Sequence, residues 1–181
     1  MNTLPNVSSE GGPLILSDAG TLRGWHGGFG SGGDYAEACA ATTDGLVGSI
    51  REHILVWELE GAGTAYLASR TSDSFTLIRI WAANGEPSDD EIRDMLQLAI
   101  PTPYKAHFRL RASPAVLIWA AEEATQISIP PALEGVPLGD WSMGGTAYYF
   151  PVYPGNYEAA VHEYQSENLS FFVLVCHRQA D

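Results

Sequence analysis

The sequence contains no apolar run near the ~18 residues that a membrane-spanning helix needs, and its first residues lack the basic and hydrophobic segments of an export signal. The expectation is a cytoplasmic protein with no membrane partner. Cysteine is scarce: Cys39 and Cys176 stand far apart and form no Cys-x-x-Cys pair. No disulfide framework is encoded, and both thiols are expected reduced and buried. Basic residues are few, with 9 Lys and Arg against 22 Asp and Glu and a formal net charge of −13. Phosphate contacts demand clustered cations, so nucleic acid is not an expected partner, whereas a basic protein suits the charge. Solubility is the plainer account of the acidity. Residues 1–100 carry 14 acids and 5 bases and residues 101–181 carry 8 and 4, which puts any acidic recognition surface in the first half.

Motifs for chemistry are also missing. The five histidines (His26, His53, His107, His162, His177) show no metal-ligand spacing, so no metal is expected. No Gly-x-Ser-x-Gly elbow follows a strand, and Cys176 lies in an apolar stretch where a thiolate is disfavoured. Asp89-Asp90 and Glu122-Glu123 read as solvated charge at a helix cap and a strand end. Gly28-Phe29-Gly30-Ser31-Gly32-Gly33 fits G-x-G-x-x-G, but it follows no strand directly, opens too short a helix, and places Asp34 where a pyrophosphate would sit. No cofactor and no catalytic residue are expected, so the chain does not read as an enzyme.

What is present describes a globular chain: 45% hydrophobic residues, 17% charged, and enough length to bury about 70% of the unfolded surface. Short β-branched and aromatic stretches between Gly, Asp and Ser read as strands over 14–17, 46–50, 53–59, 64–69, 75–82, 105–111, 116–120, 146–152, 157–164 and 169–177. The second to fifth of these form an expected meander, and Pro154-Gly155-Asn156 an expected hairpin turn. Two helices are expected, over 34–41 with Asp34 and Glu37 as a capping box, and over 89–99 with Ser88 and Glu91 as another. The second also carries the stripe Ile92, Met95, Leu96, Ala99.

The fold class is therefore α+β, mostly β, with antiparallel sheets. Residues 1–10 read as a tail. Pro101-Thr102-Pro103 marks the best internal boundary, dividing an α+β lobe (1–100) from a mostly β lobe (101–181) within one compact unit. Each half opens on a proline followed by an apolar strand, at Pro13 and at Pro114, so the halves invite comparison as a repeat.

Gly11 and Gly12 grant backbone conformations closed to other residues, and Pro13 fixes the entry into the strand that follows. The order Ser9-x-Gly11-Gly12-Pro13-Leu14, then Trp25, then Asp34-Tyr35-x-x-Ala38-Cys39, then Gly45 and Arg79-Ile80-Trp81 resembles the immunity protein 21 family of bacterial polymorphic toxin systems, most clearly over residues 7–85. Where that family tends to carry a Trp before the glycines, this chain has Leu4-Pro5-Asn6-Val7. The resemblance implies a cytosolic antidote that binds and blocks a cognate protein toxin. Charge and aromatic anchors then suggest a partner-binding set of Trp25, Phe29, Asp34, Glu37, Glu52, Glu58 and Glu60. The alternative is a small-ligand sensor with an apolar pocket under the 122–140 passage.

Overall fold

In the computed structural model the described residues are 4–28, 33–42, 46–58, 61–83, 85–124, 141–142 and 147–180. In chain order the elements are β1 (Asn6–Ser9), β2 (Leu14–Asp18), α1 (Ala19–Leu22), α2 (Tyr35–Ala41), β3 (Val47–Ile50), β4 (Ile54–Trp57), β5 (Gly63–Arg70), β6 (Ser74–Ala82), α3 (Asp89–Leu98), β7 (Ile100–Leu110), β8 (Ala115–Trp119), β9 (Trp141–Ser142), β10 (Ala147–Phe150), β11 (Gly155–Gln165) and β12 (Ser170–Arg178). The strands form two six-stranded sheets, paired antiparallel throughout, of order β1-β5-β6-β12-β11-β7 and β3-β4-β2-β8-β10-β9.

Period-two alternation places one face of every long strand inward. Leu14 and Leu16 of β2, Leu55 and Trp57 of β4, Phe75 and Leu77 of β6, Phe108 and Leu110 of β7, and Leu174 and Cys176 of β12 meet in one cluster between the sheets. Both outer faces carry helices. Leu22, Trp25 and Ala38, from α1, the segment after it and α2, lie over Ile15, Val56 and Ile118 of the second sheet. Ile92 and Met95 of α3 lie over Tyr66, Ile78 and Phe171 of the first. The layers run helix, sheet, sheet, helix.

The halves of the chain do not separate at the prolines, because each sheet takes three strands from either side of residue 100. They are instead a topological repeat. In each half the first strand is the outer edge of the first sheet, the second lies at the centre of the second sheet, and the sixth lies at the centre of the first. The halves join where β2 meets β8, with Leu16 opposite Leu117, and where β6 meets β12, with Leu77 opposite Leu174. Pro13 and Pro114 each stand directly before the matching central strand.

Five other expectations change. Residues 6–9 are not tail but β1, an edge strand paired with β5. The strand expected over 105–111 begins at Ile100 instead: β7 runs through Pro101 and Pro103, as a sheet edge permits, because the outward N–H groups there need no partner. The expected meander is two hairpins on different sheets, and the expected hairpin at Gly155 is a crossing from β10 in one sheet to β11 in the other. Helix α2 forms, but Asp34 has helical dihedrals and makes no capping bond, whereas the capping box of Ser88 and Glu91 on α3 is complete.

Candidate functional site

Ser9, the Gly11-Gly12 loop and the end of β4 meet at Arg79. This side chain points inward from β6 and is fully buried. Its guanidinium donates to the Gly12 carbonyl at 3.0 Å, to the Trp57 carbonyl at 3.4 Å and to Ser9 Oγ. Its Nε has no partner among the described residues. Burial pulls the Arg79 pKa down to about 10, and the nearby Glu58 carboxylate acts in the opposite sense. From the other half, Trp119 Nε1 donates to the Gly11 carbonyl at 2.7 Å.

Gly12 has φ +76°, and a Cβ there would stand 2.1 Å from the Tyr35 hydroxyl. Tyr35 hydrogen bonds to the Cys39 thiol one helical turn on, and burial raises the pKa of both groups. Thr42, at the end of α2, donates to Glu58 Oε2 at 2.6 Å. The Gly-Gly-Pro loop, α2 and the end of β4 are thus fastened around one guanidinium. Cys39 itself is exposed, contrary to expectation, while Cys176 is buried and its pKa is raised by that burial.

Of the expected partner-binding residues that are described, Asp34 and Glu37 meet at Arg51, next to Glu52 in sequence, while Trp25 and Glu58 are held elsewhere. Trp25 is 2% exposed and donates through Nε1 to the Ala120 carbonyl at 2.9 Å, so it anchors its own loop and presents almost no surface. Asp34 accepts from the His26 amide at 2.7 Å, and Glu37 pairs with Arg51 at 2.6 Å. Glu52 sits in the turn between β3 and β4, exposed, with its carbonyl accepting from the Arg109 amide at 2.7 Å. Glu58 is held by Thr42. Phe29 and Glu60 lie outside the described residues, as does most of the 122–140 passage.

Sequence reasoning missed a different surface. Three of the four exposed large hydrophobic residues among those described stand within seven positions of each other: Leu98 (48% exposed), Ile100 (63%) and Tyr104 (37%). They span the junction from α3 into β7, where the pairing with β11 shifts register between Ala160 and His162. Asp90, Glu91 and Asp94 stand exposed on the adjoining helix, with Arg93 paired to Asp90 at 2.9 Å. Leu98 falls outside the stripe of apolar positions on α3, which was the available signal.

Among the described residues no group of His, Cys, Asp and Glu is arranged to hold a metal ion, and no helix is long and apolar enough to cross a membrane. No family model, curated protein or solved structure matches the chain.

Proposed function

We propose that this chain is an immunity protein that binds and neutralises a protein toxin encoded beside it. The observation that carries this reading is the closure of the resembling segments around Arg79. Ser9, Gly12, Tyr35, Cys39 and Arg79 are separated by up to 70 positions, yet they build one contact unit. Short matches arising by accident would have no reason to share contacts, whereas motifs of a common architecture would.

The contact surface on this reading is the α3–β7 junction. Leu98, Ile100 and Tyr104 supply apolar area that water is expelled from on docking, and the acids of α3 favour a basic partner and speed its approach. The test is co-expression in a bacterial host with the protein of the neighbouring gene. The chain should relieve growth arrest, and the paired substitutions Leu98→Ser and Ile100→Arg should abolish relief while leaving a folded protein, because exposed positions cost within about 0.5 kcal/mol of stability. Arrest that the unaltered chain does not relieve sinks the reading. A second reading, a small-ligand-binding domain, is favoured by one feature, the basic cleft beside His53.

A further inference from the structure

We propose that the cleft between α1 and the β3–β4 turn binds the phosphate group of a small phosphomonoester, independently of any protein partner. The cleft has a volume of about 510 Å³, and Arg51, His53 and Arg111 line it together with Trp25, Ile54 and Gly24. Two arginines from separate segments converge here beside His53 on a chain whose net charge is −13.

The turn that presents Arg51 and His53 is held in an unusual form. Arg51 and Glu52 have φ +52° and +61°, a left-handed pair that favours Asn-Gly, yet neither is glycine. Neighbouring elements hold it there. Ser17 Oγ donates to the His53 carbonyl at 2.5 Å, and the Arg109 amide donates to that of Glu52 at 2.7 Å. Arg111 contacts His53 Nε2, and a guanidinium only donates, so Nε2 is the bare nitrogen. Nδ1 therefore carries the proton and donates to the Arg109 carbonyl at 3.2 Å.

Arg111 makes no ion pair among the described residues. The Asp18 carboxylate, which the Arg111 backbone amide reaches, is 2% exposed and already accepts the Thr21 amide, the Thr21 hydroxyl and that amide. Most donors of the Arg111 fork are consequently uncommitted. Arg51 pairs with Glu37 at 2.6 Å and with Asp34 at 3.9 Å through the same terminal nitrogen and is 66% exposed, so its other guanidinium edge faces outward. A tetrahedral dianion has acceptor oxygens for both forks at once, whereas the planar oxygen pair of a carboxylate is filled by one. Gly24 leaves open space where a side chain would stand, which gives room for an organic substituent.

The test is titration of phenyl phosphate into the full chain, followed by NMR of the His53 ring and the arginine side-chain N–H groups. Saturable shifts at these groups are expected. Arg111→Gln should weaken binding about tenfold or more, while Arg109→Gln, which removes the same charge outside the cleft, should leave it within about twofold. Gly24→Phe removes no hydrogen bond and fills the cleft, so it should abolish binding with an unchanged thermal midpoint, and it decides the matter if Arg111→Gln fails to fold. Absence of saturation, equal loss in Arg109→Gln, retention in Gly24→Phe, or benzoate binding as tightly as phenyl phosphate would each overturn the proposal.

Discussion

A guanidinium inside a β-sandwich is unfavourable unless its donors find acceptors, and at Arg79 those acceptors are the loop and strand end that need fixing. Replacing it with Met keeps the bulk but strands Ser9 Oγ and two carbonyls. The expected cost is about 2 to 4 kcal/mol, or roughly 5 to 15 °C in the thermal midpoint. An unchanged midpoint would show that the clamp is incidental. Gly12 belongs to the same unit through its φ of +76°. Gly12→Val forces a β-branched residue into the left-handed region and against Tyr35, at a cost of about 1 to 3 kcal/mol in denaturant melts. The glycines and their structural purpose were legible in the sequence. Arg79 and Trp119 were not readable as their partners, because these contacts span up to 108 positions and neither end carries a local signal.

At the scale of elements, local chemistry was legible wherever it decided the outcome alone. Helix α3 has its cap and its apolar stripe, and both act as the sequence implied. The Glu91 carboxyl is held below the usual range by the backbone amide and then the hydroxyl of Ser88. A carboxyl whose folded pKa is depressed contributes stability that is fully present above its unfolded value of about 4.3 and is lost as pH falls through the folded value. Glu91→Ala should therefore melt earlier than the unaltered chain at neutral pH, with the gap closing in acid. A gap that stays constant down to about pH 2 contradicts the assignment.

The same pattern misled at α2, where Asp34 is drawn to the His26 amide and Glu37 to Arg51. A capping box read from sequence cannot see such rivals. Strand β1 was missed because Asn6, Ser8 and Ser9 give no apolar alternation, and its partner β5 lies more than 50 positions away.

The whole molecule rests on two seams, β2 against β8 and β6 against β12, each pairing one half with the other. Alone, residues 1–99 or 100–181 would expose the central edge of two half-sheets and the apolar face between them. Neither fragment should melt cooperatively by circular dichroism, whereas mixing them should restore a cooperative melt and a one-to-one complex. Independent folding of either fragment as a monomer contradicts this. The proline-led strands hinted at the repeat, but the sheet to which each strand belongs was not legible. Apolar alternation reports which residues face inward, not which of two facing sheets they face from.

Partner recognition was the least legible level. Trp25 combines an aromatic side chain with a loop position, and the core claims it, while Leu98 read as an ordinary helix end and Ile100 as a residue between the helix and Pro101, yet both remain in water. The most direct measurement is the pair of rate constants for binding the proposed toxin, the protein of the neighbouring gene, at two salt concentrations, for the unaltered chain, for Ile100→Ser and for Trp25→Phe. The account predicts association that slows as salt rises, dissociation accelerated about tenfold or more in Ile100→Ser, and a dissociation rate unchanged in Trp25→Phe. Salt-independent association, or normal dissociation in Ile100→Ser, would contradict it.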